Sequence, residues 1–161
     1  MKQNKPNVML CIDASTTNFG LAWFMDGRLI EVRNVVIKGV LDIDKLKRIW
    51  DVFQEEINDA LDVNLVIFEK PVPVQFSSAL TSINQVIGLL IGLFYSRGIA
   101  VDWIHNKTIK SRMGIKSHGK EGKLESIRIA KALYPFLADE ITTDHVSDAI
   151  LVGETYKILN K

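Results

Sequence analysis

One stretch near the start of the chain constrains the fold most strongly, because it places a carboxylate at the end of an apolar run. Residues 7–24 read NVMLCIDASTTNFGLAWF, and positions 8–12 are continuously apolar. Such a run is typical of a strand that is buried on both faces of a sheet. Asp13 follows directly, and a buried carboxylate needs a cation, hydrogen bonds or a raised pKa. We therefore predict an antiparallel hairpin, turning at the polar residues 15–18, with Asp13 at its open edge.

The remaining chain alternates between strand and helix patterns. We predict strands at 28–38, 64–69 and 99–104, and helices from Asp42 or Asp44 to Leu61, over 77–97, from Leu124 to near Pro135, and from Thr142 or Thr143 to Leu159. Three antiparallel strands followed by alternating helices and strands indicate an α/β fold with helices on both faces of a mixed five-stranded sheet. A length of 161 residues with 47% hydrophobic content favours a single domain spanning 1–161.

The helix predicted at 77–97 is the most apolar segment of the chain. Its uninterrupted apolar part, 86–95, is too short to cross a bilayer and suits a buried helix. Gly88 and Gly92 mark a helix face that another backbone can approach, either inside the core or across a dimer interface. The first six residues are polar and basic, unlike a signal peptide, so we expect a soluble, cytoplasmic protein with no membrane partner.

Charge is unevenly distributed, although the formal net charge is only +1. Between positions 107 and 123, the single acid Glu121 stands among six basic residues: Lys107, Lys110, Arg112, Lys116, Lys120 and Lys123. This segment therefore carries +5 and the rest of the chain −4. With Gly119 and Gly122 beside the cations, the pattern predicts either a phosphate-contacting loop that binds nucleic acid or an ordinary solvated surface loop.

Two more carboxylates border elements that should lie in the core. Glu69 ends the strand at 64–69, and Asp148 directly precedes the apolar run 149–152 of the last helix. His145 and Asp144 lie three and four residues before Asp148, so one helix face presents an imidazole together with carboxylates. For Asp144, an acid favoured at the start of a helix is the simpler interpretation.

Asp13, Glu69 and Asp148 together predict a metal site. Carboxylates at the ends of neighbouring strands and a packing helix would repel one another unless divalent cations neutralised them. Oxygen ligands select Mg²⁺, with Mn²⁺ able to substitute. Two such ions can activate a water and stabilise the leaving oxygen of a phosphodiester. The sequence therefore predicts a metal-dependent nuclease, with two ions per site.

The order of elements resembles the ribonuclease-H-like fold. The motifs CIDASTTNFGLAWF, VIFEK and DHVSDAILVG, with a Lys-rich stretch before the last, resemble the RuvC family of Holliday-junction resolvases, including its divergent phage-type members. The resemblance covers residues 7–153. The chain departs from the family pattern by reading Asp-Ala-Ser-Thr where Asp-Pro-Gly is usual, and by the additional acid Asp144.

The resemblance implies a function and a set of site residues. Asp13, Glu69 and Asp148 match metal ligands, His145 would bind a metal or orient the attacking water, and Lys110 and Lys123 fall near basic substrate contacts. The implied activity is Mg²⁺-dependent cleavage of Holliday junctions or other branched DNA by a homodimer that nicks two like strands. Phe76, after the strand at 64–69, either stacks on an unpaired base at the junction centre or is a hydrophobic lead-in to the next helix.

Two other classes of protein fit parts of this pattern. Actin-like and sugar-kinase-like phosphotransferases also begin with an aspartate before a Ser/Thr-rich hairpin, although they need a second domain to close over the nucleotide. A noncatalytic DNA-structure-binding protein could have the same fold without cutting. Binding of ATP would favour the first class, and metal-independent junction binding without cleavage the second.

Overall fold

The computed structural model describes residues 7–59, 62–70 and 78–160. Its elements in chain order are β1 (Val8–Ala14), β2 (Asn18–Met25), β3 (Arg28–Val36), α1 (Ile43–Asp59), β4 (Val63–Lys70), α2 (Ser78–Ser96), β5 (Ala100–His105), α3 (Asn106–Met113), α4 (Gly119–Leu133), a 3₁₀ turn (Pro135–Leu137) and α5 (Asp144–Leu159). The five strands form one sheet in the order β3-β2-β1-β4-β5. The first three strands are antiparallel, whereas β4 runs parallel to β1 and β5 parallel to β4. The predicted mixed sheet is confirmed.

The opening hairpin forms as its sequence predicts. The Ser15 hydroxyl donates to the carbonyl oxygen of Asn18 at 2.8 Å and accepts from the backbone N–H of Asn18 at 2.8 Å, which closes the β1–β2 turn. The next turn, between β2 and β3, places Asp26 and Gly27 at φ of 50° and 78°, the left-handed geometry that favours Asx-Gly pairs. Asp13 lies on the last part of β1, opposite Gly20.

Side chains alternate across the sheet and fill two separate cores. Leu10 and Ile12 of β1 face one side, which α1 and α2 cover. Met9 and Cys11 face the other side, which is covered chiefly by α5. Helices therefore lie on both faces, as predicted, and each odd-numbered residue of β1 faces α5.

Helix α2 packs only one side against the sheet. Its buried residues are Val86, Ile87, Leu90, Leu93 and Phe94. Gly88 and Gly92 face away, and a methyl group added to either would meet nothing within 4 Å. The core interpretation of this glycine pair is therefore wrong within the described residues. By length and composition alone α2 could cross a membrane, but a helix that lays its apolar side on a sheet passes the same test.

The basic segment is not a loop, contrary to the sequence prediction. Residues Asn106–Met113 form α3, and α4 begins at Gly119, so a short connector is all that separates two helices. Gly114 ends α3 in the left-handed conformation, with φ of 73°. The charged residues of 107–116 obscured this helix because it has a single buried side chain, Ile109, and therefore little apolar periodicity.

Candidate metal centre and nucleic-acid interface

The three predicted carboxylates come from three elements that meet at one end of the sheet. The β1–β4 pairing ends with Ile12 opposite Phe68, so Asp13 and Glu69 follow side by side on adjacent strands. Both are odd-numbered and lie in line with Cys11 and Ile67, which face α5. Helix α5 begins over this end. It brings Asp148 across the same face of the sheet.

Gly20 determines how closely α5 approaches the sheet. A Cβ atom at this position would lie 1.8 Å from the backbone oxygen of His145 and 2.7 Å from the backbone nitrogen of Val146. The first turn of α5 therefore rests directly on the backbone of β2, a contact that only glycine permits. Thr143 caps this turn by accepting from the Val146 N–H at 3.2 Å.

His145 reaches Asp13 as a consequence of this contact. Its Nδ1 lies 2.6 Å from Oδ2 of Asp13. This hydrogen bond raises the pKa of His145, although partial burial opposes the change. Because Nδ1 is engaged by the carboxylate, Nε2 is the ring nitrogen that remains for a metal or a water molecule.

Glu69 and Asp148 line one cleft of about 220 Å³. Burial, followed by repulsion from Asp13, raises the pKa of each of these carboxyl groups to about 7. Asn106 donates to Oε1 of Glu69 at 2.6 Å, and the Ser126 hydroxyl hydrogen-bonds Asp148, and each bond partly counters the rise. The site therefore concentrates negative charge that the chain only partly compensates.

Two of the predicted basic residues share this cleft. Lys110 of α3 and Lys123 of α4 both line it. Lys123 forms an ion pair of 2.6 Å with Asp144, and that contact raises the pKa of the lysine. Burial raises the pKa of Asp144, but the Lys123 contact and the nearby His145 outweigh it, so the net shift is downward. Asp144, the extra acid of the sequence, thus holds a cation at the cleft.

The other predicted DNA contacts lie farther out. Four basic side chains are exposed on α3, on the connector and at the start of α4: Lys107, Arg112, Lys116 and Lys120. None of these four residues lines the cleft. Phe76, the predicted stacking residue, lies outside the described residues.

The side chains of the site carry the donor atoms that a divalent cation needs. Among the described residues, no three His, Cys, Asp or Glu side chains are gathered closely enough to hold a metal as they stand. Each acid of the site has a protein partner: Asp13 has His145, Glu69 has Asn106 and Asp148 has Ser126. Carboxylate oxygens beside one imidazole are the ligands that hard divalent cations accept, so the chemistry of the set fits such an ion.

The sequence analysis did not identify two residues of the site, Asn106 and Ser126. A glycine at position 20 permits a close backbone approach, but the sequence alone does not say that α5 makes it. Asn106 directly follows β5, at the same strand end as Glu69, and this position was a usable signal. Ser126 gave none, because its partner lies on another helix.

Comparison with solved structures identifies the class of fold. In sequence comparisons, no protein-family model and no curated protein matches the chain. In structure, it matches Thermus thermophilus RuvC in complex with a Holliday junction substrate, with a TM-score of 0.76 and 15% identity, over 96% of this chain and 94% of that one. The fold is therefore the ribonuclease-H-like fold of the RuvC resolvases, as the motifs predicted.

Two further structures share this fold. The yeast mitochondrial Holliday junction resolvase Ydc2 matches with a TM-score of 0.68 and 11% identity, over 93% of this chain and 77% of that one. The fowlpox virus Holliday junction resolvase matches with a TM-score of 0.64 and 14% identity, over 96% of this chain and 99% of that one. The architecture is thus shared nearly end to end, while the sequences have diverged widely.

Proposed function

We propose that this protein is a metal-dependent endonuclease that cleaves Holliday junctions or other branched DNA by phosphodiester hydrolysis. The observation that carries the proposal is the placement of Asp13, Glu69 and Asp148, from three different elements, at one sheet end beside two lysines. The fold supports it, because structures of Holliday junction resolvases share it over nearly their whole length.

The proposed cofactor is Mg²⁺, with Mn²⁺ as a substitute and two ions in each site. Asp13, Glu69 and Asp148 would hold the ions, with Nε2 of His145 as a nitrogen ligand or as a contact to water. Bound ions would supply a nucleophilic water and neutralise charge on the leaving oxygen. Glu69 and Asp148, whose pKa values lie near 7, must both be ionised to bind them, so metal affinity should rise with pH through neutrality.

The chain's own cations would bind the DNA backbone. Lys110 and Lys123 line the cleft, where a phosphate next to the carboxylates would lie between them. The Asp144 ion pair fixes Lys123 in this position. The exposed cations outside the cleft (Lys107, Arg112, Lys116 and Lys120) would contact phosphates farther along the arms.

The active form is proposed to be a homodimer formed through α2. This helix is uncharged from Ser78 to Ser96, and its outer side exposes Gly88, Gly92 and the ring of Tyr95. Small residues four apart allow two helix backbones to approach closely, and an uncharged face carries no penalty for desolvating charge. A twofold axis along this face would present two sites to two like strands of a junction.

The test is cleavage of a labelled synthetic four-way junction, compared with a three-way fork and a linear duplex of the same sequence, with Mg²⁺ and with EDTA. Paired nicks in the four-way junction alone indicate a resolvase, and cuts in both branched forms indicate a broader branch nuclease. Junction binding without cuts under any metal condition would contradict the nuclease and favour a noncatalytic binder. ATP binding without cleavage would favour the phosphotransferase class.

A further inference from the structure

An exposed tryptophan lies at the functional end of the sheet, on the face opposite to the carboxylates. Trp103 belongs to the edge strand β5, pairs with Phe68 of β4, and is 48% exposed. Trp23, by contrast, is 2% exposed inside the α1–α2 core. A large ring left this open at the edge of a sheet is not explained by the packing of the core.

A lysine lies over this ring. Nζ of Lys70 lies 4.6 Å from the centroid of the Trp103 ring. Lys70 pairs with His105 across β4 and β5, and alternation of side chains puts Lys70, Trp103 and His105 on the same face of the sheet. His105 is exposed, and so is Lys107 immediately beyond the strand. The result is an aromatic surface with positive charge along one side.

The edge of β5 is not arranged for adding another strand. The backbone N–H of Trp103 donates to Oδ1 of the adjacent Asp102 at 2.8 Å. This donor is therefore used by a local side chain, and a carboxylate accompanies it. Charged and locally bonded edges resist strand pairing, which leaves the Trp103 ring and Lys70 as the groups that this surface offers to a partner.

The surface lies next to the candidate metal centre. Glu69 sits between Phe68, the partner of Trp103, and Lys70, the cation over its ring. Asn106, which follows β5 directly, donates to Glu69 at 2.6 Å and ties the end of the edge strand to the carboxylate. The edge strand that carries Trp103 is therefore bonded, through the residue that follows it, to a carboxylate of the candidate metal centre.

We propose that Trp103, with Lys70 and His105 beside it, forms a stacking site for an unpaired base of the DNA strand that leaves the cleft. This inference rests on the proposed function, since it assumes that branched DNA is the substrate. Aromatic rings beside positive charge bind single-stranded nucleic acid by stacking on bases and contacting phosphates. Paired duplex offers no free base to such a site.

The first experiment measures tryptophan fluorescence of the full chain in EDTA, where no cleavage occurs. A short oligodeoxythymidine should quench the wild-type emission, because Trp103 is the most exposed of the three tryptophans, and Trp103→Phe should abolish that quenching. In parallel, Trp103→Leu should weaken binding of the oligonucleotide by about 10-fold, whereas Trp103→Phe, which keeps a ring, should lose much less. Affinity for a blunt linear duplex should not change in either variant.

The proposal is overturned if Trp103→Leu, shown by thermal melting to be folded, binds the oligonucleotide as tightly as the wild type. An equal loss of duplex binding would also overturn it, since stacking on unpaired bases cannot produce that. So would a loss of self-association in sedimentation, which would make Trp103 part of a protein interface. If Trp103→Leu fails to fold, the quenching comparison between wild type and Trp103→Phe decides.

The stacking site and the nuclease activity can be disproved separately. A wild-type protein that cuts junctions while Trp103 takes no part in binding disproves the stacking site alone. A protein that never cuts, but whose Trp103 fluorescence is quenched by the oligonucleotide, disproves the nuclease and leaves the stacking site in place.

Discussion

The glycines of α5 and β2 are tightly packed, whereas those of α2, on the other side of the sheet, are exposed. On the α5 face, Gly20 and Gly153 have no room for a side chain. A Cβ added at Gly20 would lie 1.8 Å from the backbone oxygen of His145, and one added at Gly153 would lie 2.2 Å from the Phe24 ring. On the α2 face, Gly88 and Gly92 meet nothing within 4 Å. The first pair therefore allows α5 to pack closely on the strands of the sheet. The second pair lies on the exposed side of α2, where nothing in the described chain packs against it.

This difference has a functional counterpart. The tight α5 contact is what holds His145 against Asp13 and places Asp148 beside Glu69. The open α2 side carries no titratable group between Ser78 and Ser96 other than Tyr95, and it is the surface that we propose for self-association. The variants below change one of these two faces at a time.

Gly20→Ala should have the largest effect. Its Cβ would collide with backbone rather than with a flexible side chain, so α5 must shift, and we expect a loss of about 3 kcal/mol or more in the free energy of unfolding. Junction cleavage should be lost in any remaining folded protein, because the His145–Asp13 contact moves with α5. Urea denaturation and the cleavage assay measure both. A variant with wild-type stability would mean that α5 does not rest on β2.

The metal-free protein should be less stable at pH 8 than at pH 5. Folding raises the pKa of Glu69 and Asp148 from ordinary values of 4.5 and 3.8 to about 7, so between these limits the folded state holds more protons than the unfolded state. Stability therefore falls as pH rises toward 7 and levels off above it. Each pKa unit is worth about 1.4 kcal/mol, so the melting temperature in EDTA should drop by several degrees.

The matched variant for this pH effect is Glu69→Gln with Asp148→Asn, which removes both titrating groups. Its melting temperature in EDTA should change much less between pH 5 and pH 8 than that of the wild type. Mg²⁺ should restore stability to the wild type at pH 8 and leave the double variant unchanged. Identical pH profiles for the two proteins in EDTA would contradict the buried, mutually repelling carboxylates described above.

The double variant Gly88→Ala with Gly92→Ala should be more stable than the wild type, whereas Gly20→Ala should be less stable. Each alanine has open space and a better helix propensity, so the free energy of unfolding of the dilute subunit should rise by about 1 kcal/mol for each substitution. Self-association measured by sedimentation velocity should weaken, because the added methyl groups hold two α2 helices apart. Unchanged association would exclude this face as the dimer contact, even if the stability rises as expected.

The smallest expected effects concern the cleft lysines. Lys110→Ala and Lys123→Ala should each weaken junction binding and lower the slope of log K against log salt by about 1. Lys47→Ala, an exposed lysine of α1, is the control and should leave the slope as it is. If all three variants showed the same slope of log K against log salt, the DNA backbone would not lie at the cleft.

The sequence was most informative where the pattern is local. The apolar run of β1, the Asp-Gly turn and the apolar stripe of α1 each follow from neighbouring residues, whereas the strand order β3-β2-β1-β4-β5 came from the structure. Helix α3 was missed because its charged surface hides the periodicity, and its one buried residue, Ile109, gives no stripe.

The site was only partly predictable, for a related reason. Carboxylates at the ends of apolar runs can be recognised one at a time, which is how Asp13, Glu69 and Asp148 were found. Contacts between distant elements have no local signal, so Ser126 beside Asp148 and the Lys123–Asp144 ion pair required the structure. The meaning of a glycine likewise depends on what packs against it.

We propose that Asp148 belongs to a centre that cuts branched DNA. The direct test compares cleavage of one labelled four-way junction by three proteins in the presence of Mg²⁺. Wild type and Asp51→Asn, which changes an exposed aspartate of α1, should both cut. Asp148→Asn should bind the junction with nearly wild-type affinity and produce no nicks. Full cleavage by Asp148→Asn would contradict the assignment of this cleft as the active site.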